Sequence, residues 1–320
     1  MNTYIGIDFG GTKLLIGEID EEGNVLRNKR YDTGIRNQLE ATEYILNCLI
    51  DYIDNVGFVG TPVAAGVGVV GVVNPVHGVW NSMDHTASTP VPLGKLVEEK
   101  LGVPVAVDND VKCATSAELL FGQGKHSKNF IYINVGTGIA AGFVVEGRIL
   151  RGAHNNSGEV GHSVLDLNRR EECICGRKGC VEGIAAGSGF HKQAVRLYDT
   201  YETNLERPSE KVKVQVKQIF KLADDNDPLC QELVKQAVEN LSCLIMNLVR
   251  VTDPDTIILG GGVIRDGWLL PKIANELNPS TMRGVTNGIK ISSFDAGYVG
   301  LIGAGAIAKL YLEQCKKEEN

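Results

Sequence analysis

Tyr4-Ile5-Gly6-Ile7-Asp8-Phe9-Gly10-Gly11-Thr12-Lys13 near the start, and Phe130-Ile131-Tyr132-Ile133-Asn134-Val135-Gly136-Thr137-Gly138 in the middle, are two copies of one pattern. Each is an apolar, β-branched strand running into a glycine turn. A second strand follows in both copies, Leu14 to Ile19 and Ala140 to Val145. Tight turns come next, at Glu22-Gly23-Asn24 and at Glu146-Gly147, before Val25-Leu26 and Ile149-Leu150. Aligning Asp8 with Asn134 and Gly10 with Gly136 gives a constant offset of 126. That distance is too long for a solenoid repeat and implies two domains of similar topology facing one another.

The rest of the chain supplies alternating strands and helices. A helix with a 3.6-residue period carries Leu39, Ile45, Leu46, Leu49, Ile50 and Ile53 as its apolar stripe. Ala64 to Val73 reads as a central strand buried on both faces. Val103 to Val107 is a short buried strand ending at Asp108-Asn109-Asp110. A long helix over about Leu229 to Val251 stops at Asp253-Pro254, and Thr256 to Leu259 is a strand ending at Gly260-Gly261-Gly262. The Gly- and Ala-rich run Gly300 to Leu312 reads as a helix suited to close packing. An α/β protein with mixed sheets follows.

Composition removes several classes. The 320 residues are enough to bury a core without staples. A net charge of −7 disfavours a broad duplex nucleic-acid surface, which needs clustered Lys and Arg. No apolar stretch reaches the roughly 18 residues of a membrane helix. The opening strand does not resemble a secretory signal, so a cytoplasmic location is expected. Three of the eight cysteines crowd between Cys173 and Cys180; in a reducing compartment such a cluster points to metal.

Three motifs carry chemistry. The glycine turns at Gly10-Gly11-Thr12 and Gly136-Thr137-Gly138, with Gly260-Gly261 at a strand end, let backbone N–H groups approach an anion. No P-loop is present. Gly136-x-Gly138-x-x-Ala141 leads into a strand where a dinucleotide motif needs a helix, and Gly303-x-Gly305-x-x-Ala308 lies too near the C-terminus for a βαβ unit. Asp108-Asn109-Asp110, leaving a strand and entering a helix, has two readings. It is either a helix cap or the carboxylate that accepts a proton from a hydroxyl attacking phosphorus. Finally, Gly158-Glu159-Val160-Gly161-His162 precedes Cys173-x-Cys175-Gly176-x-x-Gly179-Cys180-x-Glu182. Three thiols and one imidazole supply the four ligands of a closed Cys3His zinc site with a structural role, the alternative being three free cysteines with a surface histidine. The same loop carries Glu159 and Glu182 as acceptors for ligand hydroxyls.

Together these residues resemble the ROK family, the repressors and sugar kinases of the actin-like ATPase superfamily. The resemblance covers nearly the whole chain. It rests on Asp8-x-Gly10-Gly11-Thr12-Lys13, Asn109-Asp110, Gly158 to His162 and the run from Cys173 to Glu182. It implies two RNase H-like α/β domains flanking a cleft, with a small zinc-binding loop and a C-terminal helix returning to the first domain. The expected division is 1–114 plus 302–320 for the smaller N-terminal domain, and 115–301 for the larger one, carrying zinc loop and nucleotide site. Asp110 would be the general base, and Asn81, Asn109, Glu159, His162 and Glu182 would hold the sugar. ATP would lie with its phosphates at the turns built from Gly10, Gly11, Thr12, Lys13, Gly136, Thr137 and Gly138, and its adenosine beside Gly260 and Gly261. Asp8 would hold magnesium. His162, Cys173, Cys175 and Cys180 would bind zinc, with the second imidazole nitrogen of His162 turned to the sugar.

By this resemblance the chain is an ATP-dependent kinase of a hexose 6-hydroxyl, glucose being the first substrate considered. N-acetylmannosamine or another hexosamine is the alternative. A homodimer that binds sugar and ATP, without nucleic acid or membrane, is expected. A sugar-sensing regulator ranks lower. The first strand begins within about three residues of Met1, where repressors carry a winged helix-turn-helix needing tens of residues, and Asp8 and Asp110 are both retained. Departures from the family pattern cluster at the sugar. Lys112 follows the base, facing an anionic group or solvent. Ser82-Met83-Asp84-His85-Thr86 replaces the usual text after Asn81. The serine expected after the zinc motif is Ala186 or is displaced to Ser188.

Overall fold

A computed structural model describes the chain except for Thr12, Ile35, Arg36, Asp84 to Ser88, Arg169, Arg170, Glu210, Glu319 and Asn320. The chain divides into two compact units. One comprises Met1–His126, Ile149–Ser157 and Ser293–Asn320, the other Ser127–Arg148 and Gly158–Ser292.

In the first unit the strands are β1 (Asn2–Phe9), β2 (Lys13–Ile19), β3 (Val25–Asp32), β4 (Thr61–Val69), β5 (Val72–Asn74), β6 (Val79–Ser82) and β7 (Val105–Asn109). The helices are α1 (Gln38–Asp51), α2 (Leu93–Leu101), α3 (Asp110–Leu120) and the C-terminal helix Val299–Glu318. Among the described residues the main sheet has the order β3-β2-β1-β4-β7. The hairpin pairs β1–β2 and β2–β3 are antiparallel, whereas β1–β4 and β4–β7 are parallel. The period of two explains the two faces. Ile5, Ile7 and Phe9 cluster with Ala41, Ile45 and Leu49 of α1. Tyr4 and Ala64 turn the other way, onto Ala308 of the C-terminal helix. On that second face stand Gly6, Gly17 and Gly66, and they let the helix approach closely. A Cβ on Gly6 would come within 2.5 Å of the Leu301 carbonyl oxygen, and one on Gly66 would collide with the Ala304 carbonyl.

Two local expectations need correction. The apolar run expected as one strand over Ala64 to Val73 breaks after Val69, because Gly71 adopts φ 91° at a turn and the chain restarts as β5. A Cβ on Gly71 would strike the Ser82 carbonyl. The buried stripe of α1 is also rotated. Ile45 and Leu49 are fully buried, but Leu39 is 58% exposed and Ile50 is at the surface, while Ala41, Thr42 and Cys48 face the core. Small side chains there allow the helix to sit close to the sheet, an advantage that hydrophobicity alone does not reveal.

The second unit repeats the arrangement with β8 (Phe130–Val135), β9 (Ile139–Val145), β10 (Arg148–Ile149), β11 (Thr256–Gly260) and β12 (Ile289–Ile291), in the order β10-β9-β8-β11-β12. Again the hairpin pair β8–β9 is antiparallel and β8–β11–β12 parallel. The repeat extends to single residues: Asp8 pairs with Gly68 on β4, and Asn134 with Gly260 on β11. The helices here are α4 (Glu182–Ala185), α5 (Gly187–Leu197), α6 (Val216–Asp224) and α7 (Pro228–Thr252). The long helix α7 is capped by Asp227, whose carboxylate accepts from the Cys230 N–H, and it ends where Asp253 turns left-handed at φ 45°. Leu229, Leu233, Ala237, Leu241, Leu244 and Leu248 bury its stripe in the core of this unit. Among the described residues no helix is long and apolar enough to cross a membrane.

Candidate functional site

Parallel pairing brings the carboxyl ends of β1, β4 and β7 to one edge of the first sheet. The register Asp8↔Gly68↔Asp108 sets two acidic residues in one row, with only a glycine between them. One residue on, β7 becomes α3. The Asn109 side chain caps that helix by accepting from the Val111 N–H at 3.0 Å, and Asp110, the first residue of α3, accepts from the same N–H at 2.9 Å. Both readings of Asp108-Asn109-Asp110 therefore stand side by side, a capping Asn109 and a half-buried carboxylate at Asp110. Cys113 lies among the acids. Burial pushes its thiol well up, and the fields of Asp108, Asp8 and Asp110 add to the shift.

Asp8 itself is 7% exposed. Burial raises its carboxyl above the ordinary range, opposed by the Lys13 ammonium 3.5 Å away. Lys13 also donates to the Gly297 carbonyl at 2.6 Å. Gly300, in the first turn of the C-terminal helix, faces the Asp8 carboxylate so closely that a side chain there would overlap it. Gly10 closes the β1–β2 turn through its N–H to the Lys13 carbonyl at 2.9 Å, and Gly11 is exposed. Thr12, expected at the phosphates, lies outside the described residues.

Asp108 was singled out only as part of a tripeptide, yet it anchors a network. It is 1% exposed and pairs with Arg151 at 2.5 Å and with the Asn155 amide at 2.9 Å. These two partners belong to the segment Ile149–Ser157, which lies in the first unit. Arg151, His154 and Asn155 line a cavity of about 360 Å³ together with Asn74, His77 and Asn81. Asn81 is thus placed beside a hollow large enough for a small ligand. Lys112 does not face solvent, contrary to one of the two alternatives read from its position. It is 3% exposed and donates to the Ser157 carbonyl.

The second unit holds the remaining expected residues. His162 sits between two chemistries: its Nδ1 is 3.3 Å from the Cys173 sulfur, and its Nε2 is 3.8 Å from a carboxylate oxygen of Glu159. The donor atoms of His162, Cys173, Cys175 and Cys180 all lie within 4.8 Å of one another. Gly176 and Gly179, both at φ 82°, make the turns that gather the thiols. The Arg177 backbone N–H pulls the Cys175 thiol down to about 7, towards the thiolate a metal requires. Three sulfurs and one imidazole nitrogen at this spacing fit a tetrahedral zinc ion.

Glu182 reaches back to the glycine turn of β8–β9. Its carboxylate accepts from the Ile139 N–H at 2.9 Å, and a Cβ on Gly138 would come 2.6 Å from it. Gly136, Thr137 and Gly138 form a turn closed by the Gly136 N–H on the Gly138 carbonyl at 2.9 Å. Gly136 and Thr137 line a cavity of about 610 Å³ with Ser188, His191, Lys213 and Gly262. Lys192 and Lys217 line the same cavity and bring further positive charge beside the turn. Gly260 and Gly261 lie against Tyr132 and the Val135 carbonyl, and it is Gly262 and Val263 that reach the cavity.

The description "ROK family" belongs to the family profile that matches residues 4–310. The chain is a member of the ROK family. It is 28% identical over 315 residues to a glucokinase of Halalkalibacterium halodurans, covering 96% of this chain and 94% of that one. It is 30% identical over 271 residues to an N-acetylmannosamine kinase of Vibrio vulnificus, covering 83% and 85%. Among solved structures it is similar to a ROK hexokinase from Thermus thermophilus, with a TM-score of 0.78, 28% identity and coverage of 98% and 99%.

Within this ROK chain, sequence reading missed several residues that the fold brings to the cavities. His191, Lys192, Lys213 and Lys217 line the larger one. They come from α5 and from the stretch entering α6, where nothing local distinguishes them from solvated helix faces. Ser188 donates to the Thr137 carbonyl at 2.7 Å, whereas Ala186 is fully buried. Residues 84–88 of the segment after Asn81 lie outside the described residues.

Proposed function

We propose that the chain is an ATP-dependent sugar kinase acting on the 6-hydroxyl of glucose or a close relative. The observation carrying this reading is the acidic edge of the first sheet: Asp8 and Asp108 in one row and Asp110 at the start of the adjoining helix. A base and a metal-binding carboxylate are what phosphoryl transfer asks of a protein, beyond positioning. Asp110 accepts the proton of the sugar hydroxyl as the new O–P bond forms and the bond to the leaving ADP oxygen breaks. Its bond from the Val111 N–H orients that carboxylate. Asn81 and Asn109 hold hydroxyls from the first unit, and Glu159, His162 and Glu182 from the second. The turns with Gly10, Gly11, Thr12 and Lys13 and with Gly136, Thr137 and Gly138 receive the phosphates, and Gly260 and Gly261 border the adenosine side.

Asp8 would hold magnesium, which would supply charge neutralisation for the triphosphate. His162, Cys173, Cys175 and Cys180 would hold zinc, which would order the loop and fix the His162 tautomer with Nε2–H turned to the sugar. In this reading the chain carries two RNase H-like domains, 1–114 with 302–320 and 115–301, in a cytoplasmic homodimer. N-acetylmannosamine is the alternative substrate, supported by the 30% identical relative.

An ADP-release assay over a panel of hexoses and hexosamines tests the reading and separates its two substrates. Turnover of none of them refutes it in favour of a sugar-sensing regulator. Asp110→Asn should lower kcat by about 10²- to 10⁴-fold, the usual worth of a general base, with sugar affinity preserved; near-normal turnover removes Asp110 from its role.

A further inference from the structure

Lys112 occupies an unfavourable place. It lies in the first turn of α3, where the helix dipole opposes a cation, and it is almost fully buried, where an ammonium needs a compensating acceptor. One acceptor it reaches is the Ser157 carbonyl. Ser157 is itself tied into its own segment, its N–H donating to the Arg151 carbonyl at 3.2 Å and its hydroxyl to the Leu150 carbonyl at 2.5 Å. Four residues before Lys112, Asp108 grips the same segment through Arg151 and Asn155. Residues 108 and 112 therefore hold Ile149–Ser157 at two points, with Asn109 and Asp110 between the grips. The held segment supplies Arg151, His154 and Asn155 to the cavity that Asn81 also lines. Two residues beyond Ser157 the chain reaches Glu159.

We propose that Lys112 is a positioning residue that sets sugar specificity. By tethering Ser157 it fixes the wall of the cavity beside Asn81, and so decides which substituents on the sugar ring fit. The inference rests on the sugar-kinase reading, and the tether can be measured without it. Lys112→Met keeps the apolar stem and removes the ammonium, and Lys112→Arg restores a cationic donor. Hydrogen exchange of the full-length protein reads the tether directly. Peptides covering 149–157 should exchange about tenfold faster in Lys112→Met, with little change elsewhere. Calorimetric Kd values for glucose and N-acetylmannosamine should rise by about tenfold, and unequally, the scale expected for losing a charged hydrogen bond. The ATP Kd should stay within about twofold, and Lys112→Arg should recover most of the loss.

Unchanged exchange at 149–157 overturns the tether. Faster exchange with unchanged sugar Kd, or sugar and ATP Kd values rising together, overturns the specificity role. Should Lys112→Met not fold, Lys112→Gln also removes the ammonium, keeps a polar side chain, and is read by the same measurements. Wild-type protein that binds no sugar defeats the functional reading and the specificity role with it, while the exchange result still decides the tether.

Discussion

Replacing Gly300 by alanine tests the seat of Asp8 while leaving every functional side chain in the protein. Gly300 lies in the first turn of the C-terminal helix, and a Cβ there would stand 2.5 Å from Asp8 Oδ2 and nearer still to the other carboxyl atoms. Ordinary contact begins at 3.4 Å and the nearest carboxyl atoms would be at 2.4 Å, so the carboxylate must retreat by about 1.0 Å. It has little freedom to do so, being 7% exposed and 3.5 Å from the Lys13 ammonium. A displacement of roughly 1 Å in catalytic geometry lowers activity by about 100-fold, equivalent to about 2.7 kcal/mol in the transition state. Folding should suffer less, because alanine is favoured over glycine in a helix by up to ~1 kcal/mol, which offsets part of the overlap. The assay is steady-state ADP release at varied magnesium, with circular dichroism and thermal melting as the check on folding. Gly34→Ala serves as control, since nothing lies within 4 Å of a Cβ there. A folded Gly300→Ala protein with kcat/KM within about threefold of wild type would refute the assignment of metal binding to Asp8 in this position.

Burial holds the Asp8 carboxyl above its ordinary range. The folded protein therefore keeps that proton after the unfolded chain has released it, and stability is lost as pH rises from the usual carboxylate range through the raised value. Asp8→Asn should remove this loss, so its urea midpoint should gain on wild type through that window and then level off, while turnover falls at least ~100-fold; a stability difference independent of pH contradicts the sign. Protein purified without chelator should carry about one zinc ion per chain, by atomic absorption, and Cys175→Ala should lose it. The same variant should raise the apparent sugar KM or unfold the loop while affecting ATP less, and zinc-free wild-type protein would end the metal assignment.

Much of the architecture was legible because it is written in local signals. The strand periodicity at Tyr4 to Phe9 and Phe130 to Val135, the glycine turns after them and the stop of α7 at Asp253 each depend on a few neighbouring residues. The same holds for the thiol spacing from Cys173 to Cys180, where Gly176 and Gly179 adopt the left-handed turns their positions demanded. Harder to read were features set by elements distant in the chain. The α1 stripe was misplaced because the sheet selects the face with Ala41, Thr42 and Cys48, which a hydrophobicity pattern undervalues. The break at Gly71 was hidden inside an apolar run, since the turn is dictated by the Ser82 carbonyl on another strand.

From residue order alone came the internal repeat, the α/β class, the clustered thiols with His162 and the acidic tripeptide at a strand end. These follow from spacing, and spacing survives without knowledge of partners. Tertiary structure alone decided that Asp8 and Asp108 share a row across Gly68, that Gly300 presses on Asp8, and that Lys112 and Asp108 hold one segment through contacts 43 to 47 residues further along. Side chains so far apart in sequence meet only through strand register and helix packing, which no short stretch of residues encodes.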